Sequence, residues 1–297
     1  MTLPTGSNVL HRKRRGFNSK RKRHLKYAPH LIAYIDIMGF SELVKNESPD
    51  FISRAIRRVT EVTAPDVDDR KAYQENYVSF SDLIVHTIPI VPRANENLGQ
   101  GIVFSEILNL AAAQASLIDD GLLIRGALTI GELERTYGVL FGPGIIAAYH
   151  LEQEQAVFPR IVVDPAIFET LKKVPSMLVH PYEEEITYIF RLLKRDDDGV
   201  IFIDYLGSMQ SERRDYLEFL KNHKELVEKN IAKFKADKRV LSKYLWLKKY
   251  HNAVIHARLK PKLYKDFFVN EPDSFANVPL LSPLSKPDKR VLRESGY

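Results

Sequence analysis

Apolar runs of strand length alternate with amphipathic helical runs over much of the chain. Residues 28–37 are mostly apolar around one carboxylate and read as a buried strand. A short helix follows over 41–46, ended by Ser48-Pro49. Phe51, Ile52, Ala55, Ile56 and Val59 then recur at helical spacing, with Asp50 placed to cap their helix. A polar loop over 62–73 leads to runs 77–80 and 83–88, which flank Ser81-Asp82 as a tight hairpin closed by Pro89 and Pro92. After a loop over 93–101, residues 102–118 give the strongest helix, apolar on more than one face, which fits packing on a sheet. Asp119-Asp120-Gly121 ends it.

The pattern continues with a strand over 122–131, in which Arg125 is the single charge. Residues 133–137 read as a polar hairpin segment, 139–144 as an apolar approach to a turn, 145–155 as a helix and 159–163 as a strand. Asp164-Pro165 opens a short helix to Lys173. Residues 186–194 and 200–205 read as two more strands around Asp196-Asp197-Asp198-Gly199, an acidic hairpin tip without the spacing or terminal Glu of a calcium loop. From 211 to about 259 the chain is charged and helical, in two or three helices. No internal repeat is present. The order of elements predicts an α+β fold, ferredoxin-like rather than doubly wound. Four parts follow: a disordered basic arm over 1–27, the α+β domain over 28–207, a helical extension over 208–268, and a Pro-rich tail over 269–297.

Composition narrows the function classes. The 297 residues contain no cysteine, which excludes disulfides, thiolate zinc sites and cysteine nucleophiles. No apolar run approaches the roughly 20 residues that span a bilayer. No apolar stretch follows the polar, basic start as it would in a signal peptide. A cytoplasmic protein without a membrane partner is expected. The net charge of +6 is unevenly placed: residues 1–30 hold nine Lys/Arg and no acid, and removing those nine charges leaves −3. The arm reads as a solubilising leader in preference to a nucleic-acid contact, because nothing in it reads bases.

Two acids stand out. Asp36, between Ile35 and Ile37, sits at the exit of a buried strand, where a carboxylate is costly unless something compensates it. Asp82 lies between two apolar strand runs. The two can converge on one divalent cation. Taken singly, Asp36 also reads as a helix cap beyond the strand and Asp82 as a turn residue. His251 and His256 are five apart, not an i,i+4 metal pair, and read as structural or surface residues.

Tyr34-Ile35-Asp36-Ile37-Met38-Gly39-Phe40-Ser41 resembles the first metal motif of class III nucleotidyl cyclases, and Ser81-Asp82 the second. Arg125-Gly126-Ala127-Leu128-Thr129-Ile130-Gly131 is similar to the family's next strand, and the run from Gly142 to Glu152 to the helix after its dimerisation arm. The likeness covers roughly residues 28–170. Within that fold, Arg125-Gly126-Ala127, Gly142-Pro143, Ala148-Tyr149, Leu151-Glu152 and Phe158-Pro159-Arg160-Ile161 resemble the pyrimidine cyclases of the bacterial Pycsar anti-phage system.

The resemblance implies closure of CTP or UTP to the 3′,5′-cyclic monophosphate with loss of diphosphate, the product serving as a messenger in anti-phage defence. It implies two divalent ions, Mn²⁺ or Mg²⁺, on Asp36, Asp82 and the carbonyl of Ile37, and triphosphate contacts at the amides of Gly39 and Phe40. It implies a homodimer, and Arg125 is the candidate for a contact with phosphate or the transition state. The alternative for Arg125 is a partly buried ion pair in the sheet. Departures are clear. Val78 stands where purine cyclases read the base with Lys; Val139 is near their second base-reading position, and Ile146 and His150 are near their transition-state Asn and Arg. A catalytically degenerate nucleotide-binding or signalling module is therefore the alternative function. Tyr77, Tyr137 and Tyr149 are the aromatic residues available for base stacking, or for core and interface packing.

Overall fold

The computed structural model describes residues 25–64, 76–90, 101–136 and 139–269. The first strand organises them. In β1 (Ala28–Ile37), Leu31, Ala33, Ile35 and Ile37 enter the main core on one face, while Ile32, Tyr34 and Asp36 take the other by the two-residue alternation of a strand. β1 lies between β3 (Leu83–Pro89) and β4 (Ile124–Thr136), antiparallel to both, and β2 (Asn76–Phe80) pairs with the outer edge of β3. Helices α1 (Phe40–Asn46) and α2 (Pro49–Thr63) fall between β1 and β2, and α3 (Ile102–Asp119) between β3 and β4. The antiparallel order β2-β3-β1-β4 is the split βαβ plan of a ferredoxin-like fold. The expected α+β architecture is therefore present.

Beyond β4 the sheet continues through β6 (Ile161–Val163), β8 (Ile201–Ile203) and β7 (Leu193–Arg195). β6 is parallel to β4, and the last two pairings are antiparallel. β5 (Val139–Phe141) pairs with the far end of β4. The remaining helices are α4 (Pro143–Gln155), α5 (Ala166–Lys173), α6 (Tyr182–Arg191), α7 (Tyr205–Ser208), α8 (Tyr216–Lys233), α9 (Lys238–Arg258) and α10 (Tyr264–Phe267).

α3 buries Val103, Ile107, Leu110, Ala111 and Leu117 in the main core, which explains its apolarity on several sides. It is also the one described helix long and apolar enough to cross a membrane, and most of it is covered by the rest of the chain. α4 packs on the opposite face of the sheet. A Cβ added to Gly131 would lie 2.4 Å from the Cα of Gly144, so the helix start meets β4 backbone to backbone.

The structure corrects three local expectations. Residues 186–191 are not a strand but the end of α6: Glu183, Glu184 and Glu185 fill its first turn, and Ile186, Ile189 and Phe190 form a buried stripe at helical spacing. Only Leu193–Arg195 is extended there. The segment read as a polar hairpin belongs to β4, which runs 13 residues to Thr136 and pairs with β5, where a turn approach was expected. The cap of α2 is Ser48, whose Oγ accepts from the amide of Phe51 at 3.3 Å. Pro49 takes the first helical position, so Asp50 falls inside the first turn. The basic arm up to residue 24, the proline-rich tail from 270 and Tyr137 lie outside the described residues.

The acidic tip between β7 and β8 serves the core. Arg160, 1% exposed, donates from Nη1 to Asp196 Oδ2 at 2.5 Å and from Nη2 to Asp198 Oδ2 at 2.5 Å. Its guanidinium sits 5.7 Å from the Trp246 ring, and Phe158 stacks on that ring at 5.5 Å. Trp246 Nε1 donates to the same Asp196, and Lys249 pairs with Asp197 at 2.6 Å. These contacts hold Asp196 below its ordinary range against the opposing effect of burial, and they fasten α9 to the sheet. His251 is fully buried and structural, in line with expectation. Its Nε2–H donates to the carbonyl of Phe267 at 2.8 Å, so its Nδ1 accepts from His223 Nδ1–H at 3.0 Å. His223 Nε2 then accepts from the Tyr205 hydroxyl at 2.8 Å. His256 is exposed.

Candidate active site

Asp36 is the penultimate residue of β1, opposite Leu83 on β3 and Arg125 on β4. Its side chain is 22% exposed. Arg125 Nε donates to Asp36 Oδ2 at 2.8 Å, and Nη1 to the carbonyl of Ala156 at 3.1 Å. Nη2 forms an ion pair at 2.7 Å with Glu152 Oε1, without hydrogen-bond alignment. All three guanidinium nitrogens are thus engaged within the chain, which is the ion-pair arrangement set out above as one alternative for Arg125. Burial lifts the Asp36 carboxyl to about 6; Arg125 opposes that rise, and Asp82 and Glu152 add repulsion to it.

The turn between β2 and β3 brings the second acid in. Ser81 takes a left-handed conformation with φ 58°, and the amide of Ile37 donates to the carbonyl of Asp82 at 3.3 Å. Asp82 is therefore fixed against the end of β1. Gly39 follows with φ 78° and caps α1, and the amides of Glu42 and Leu43 donate to its carbonyl at 3.0 and 3.1 Å. Asp36 makes no cap bond to α1, so its reading as a helix cap is not what the structure shows. Left-handed Gly39 followed by helical Phe40 turns successive amides toward one side, a backbone arrangement suited to anionic oxygens. The Phe40 side chain packs on the main core.

Two residues along β1 from Asp36, Tyr34 stands opposite Val85, and Val85 opposite Val78, in one row across three strands. They line a groove of about 490 Å³ with Leu83, Val139, Leu140, Ile145, Ile146 and Tyr149. Val78, Val139 and Ile146 thus converge on one apolar surface. Val139, Ile146 and Tyr149 are 57%, 60% and 45% exposed. Tyr149 meets Tyr34 edge-on at 6.2 Å. His150 turns away and lies 3.7 Å from Glu154. Tyr77 leaves the groove: its hydroxyl reaches the Thr60 carbonyl at 3.4 Å.

Asp36, Asp82 and the backbone at Ile37 and Gly39 therefore meet at one end of the sheet. Sequence reasoning gave no role to Glu152, which is 1% exposed. Its signal is present: Glu152 follows buried Ala148 by four residues, so a carboxylate stands on the covered stripe of α4.

No group of three or more His, Asp or Glu poised for a metal occurs among the described residues. Two carboxylates and one carbonyl are nevertheless a hard, all-oxygen donor set, and Mg²⁺ or Mn²⁺ commonly fills its remaining positions with water and substrate phosphate. Asp36 Oδ1 and the Asp82 carboxylate accept no hydrogen bond among the described residues, so the set fits such an ion.

No family model matches the chain, and no curated protein matches it. Among solved structures it is similar to a bacterial light-regulated adenylyl cyclase, at 12% identity over 50% of this chain and 46% of that one, with a TM-score of 0.38. It is similar to the dimeric guanylyl cyclase domain of the RhoGC fusion protein from the aquatic fungus Blastocladiella emersonii, at 15% identity over 50% and 86%, TM-score 0.37. An adenylate/guanylate cyclase/hydrolase from Silicibacter pomeroyi matches at 15% identity over 61% and 96%, TM-score 0.36.

Proposed function

We propose that the chain is a nucleotidyl cyclase that closes CTP or UTP to the 3′,5′-cyclic monophosphate. The observation that carries this reading is the meeting of Asp36 and Asp82 beside the left-handed turn at Gly39, in the order of the class III cyclase motifs. In the reaction the ribose 3′-oxygen attacks the α-phosphorus in line, the bond from that phosphorus to the diphosphate oxygen breaks, the 3′-hydroxyl proton passes to water, and diphosphate leaves. The enzyme's part is positioning and charge neutralisation.

Asp36, Asp82 and the carbonyl of Ile37 hold two Mn²⁺ or Mg²⁺ ions, which when bound supply charge neutralisation at the phosphates and at the attacking oxygen. The amides at Gly39 and Phe40 bind the β- and γ-phosphates. Arg125 orients Asp36 through Nε and is released toward phosphate only if Glu152 gives it up. The base lies in the apolar groove at Val78, where stacking on Tyr34 or Tyr149 replaces the polar readout of a purine. The exposed row of Val139, Ile146 and Tyr149 favours a homodimer in which a second copy closes the groove. The Pycsar-like motifs extend the reading to a messenger in anti-phage defence.

A second reading is a nucleotide-binding module without turnover. Apolar Ile146, outward-turned His150 and the fully engaged Arg125 favour it. Purified chain incubated with Mn²⁺ and each of ATP, GTP, CTP and UTP, with products read by mass spectrometry, separates the two. A cyclic pyrimidine monophosphate supports the cyclase. If no triphosphate is converted, with or without lysate from phage-infected cells, the binding module is the better account.

A further inference from the structure

A cavity of about 870 Å³ lies beside β7, the edge strand of the sheet. In the sheet order β7 stands four strands from β1, roughly 19 Å at ordinary strand spacing. No residue placed at the Asp36 site or in the apolar groove lines it. Distant stretches of chain close it: Phe104 near the start of α3, Phe190 and Arg191 at the end of α6, and Arg258, the last residue of α9. Its volume falls within the roughly 300–1,000 Å³ of small-molecule sites.

Lys194 of β7 lines this cavity, and its side chain is only 7% exposed. Its ammonium lies 3.1 Å from Asp204 Oδ2 without hydrogen-bond alignment, and no other carboxylate is within 4.0 Å among the described residues. Asp204 is well supplied, since the Tyr250 hydroxyl and the amide of Gly207 donate to its Oδ1 at 2.7 and 3.0 Å. The three donors of Lys194 are not spent within the described chain. Apolar residues of similar volume often serve stability as well as a covered ion pair does. A covered lysine with unspent donors on a cavity wall is instead suited to an anion.

Arg191 and Arg258 line the same space, are exposed, and pair with no carboxylate among the described residues. Each ends a helix, where the dipole favours a cation. That accounts for either arginine alone, but not for their meeting on one cavity with Lys194. Glu212 is the second carboxylate there; it accepts from Ser211 Oγ at 3.1 Å and forms no ion pair among the described residues. Three cations and two carboxylates leave one positive charge over, beside the apolar surface of Phe104 and Phe190.

We propose that this cavity is a second binding site, separate from the Asp36 site, for a small organic phosphate. Arg191, Arg258 and Lys194 hold the phosphate, and Phe104 and Phe190 cover the body of the molecule. The proposal does not depend on what the Asp36 site does.

The test uses the full chain in a chelator, so that no divalent ion bridges phosphate to Asp36 and Asp82. Phenyl phosphate and inorganic phosphate are titrated calorimetrically into wild type, Arg191→Ala, Arg258→Ala and an Asp36→Asn, Asp82→Asn double variant. Thermal unfolding first confirms that each is folded; both arginines are exposed, so their truncation keeps the covered Lys194–Asp204 pair. Phenyl phosphate is expected to bind wild type and the double variant alike, and each arginine variant about tenfold more weakly. Inorganic phosphate, which lacks the ring, is expected to bind wild type about tenfold more weakly than phenyl phosphate. A wild type that binds no phenyl phosphate overturns the proposal, as does unchanged affinity in either arginine variant. Loss of binding in the double variant overturns it too, because the ligand would then sit at the Asp36 site. Inorganic phosphate held as tightly as phenyl phosphate would overturn the role of the two phenylalanines.

Discussion

Arg125 Nε and Asp36 Oδ2 lie 2.8 Å apart across a direct register pair of β1 and β4. The guanidinium does not fully offset the burial of the carboxyl, which is lifted to about 6 from an ordinary 3.8. Between those two values the folded chain holds a proton that the unfolded chain has released. This site therefore contributes less to stability as pH rises from about 4 through 6. Asp36→Asn, which mimics the protonated form, is expected to raise Tm at pH 8 in a chelator and to leave it unchanged near pH 4. A lower Tm at pH 8 would show that the pairing with Arg125 outweighs burial.

Binding of a divalent ion at Asp36 and Asp82 stabilises the folded state by mass action. Mn²⁺ is expected to raise the wild-type Tm and to leave that of the Asp36→Asn, Asp82→Asn double variant where it was. Turnover by Asp36→Ala or Asp82→Ala is expected to fall at least 100-fold with the fold retained by circular dichroism, since each removes charge placed for the transition state. Near-normal turnover in either would remove the two-ion assignment.

Ile146 and Val139 are more than half exposed on an apolar face. Ile146→Glu is expected to shift the chain toward monomer in sedimentation velocity and to reduce turnover in parallel, while Tm stays within a few degrees. A variant that stays dimeric and active would place the contact between copies elsewhere.

Arg160 is a covered cation held by two carboxylates and ringed by Phe158, Phe202 and Trp246. Arg160→Ala leaves Asp196 covered and short of its cation, and a loss of about 3–5 kcal/mol is expected in urea unfolding. Arg160→Met with Asp196→Asn should recover part of it.

His223 and His251 are both buried in neutral form: burial sets His251 at about 4 and His223 well below its ordinary value. The unfolded chain takes up those protons first as pH falls below about 6.5, so their stabilisation is complete above that value and is lost on acidification toward 4. Tm is expected to drop over that interval, and the drop should shrink in His251→Gln.

Much of this was legible in the chain. The period-two alternation of β1, the turn residues Ser81-Asp82 and the break at Asp119-Asp120-Gly121 all carried the geometry the structure shows. What misled was a short apolar run: Ile186, Ile189 and Phe190 serve a strand or a helix equally well, and the three glutamates before them were the deciding signal. The partners of charged residues were not legible. Arg125 and Asp36 are 89 residues apart, and Arg160 and Asp196 are 36 apart.

β1 sits inside the sheet between β3 and β4, but it is made before either of them. One flank waits for β3, and the other for β4, which ends at Thr136. These are closures of about 50 and 90 residues, whose chain entropy must be met before their contacts give anything back. On the ribosome the strand bearing Asp36 therefore emerges ahead of both partners and waits with two bare edges. Until β4 has left the exit tunnel, a solvent-exposed Leu31-Ile32-Ala33-Tyr34-Ile35 run is the part of the nascent chain a holding chaperone would most readily bind.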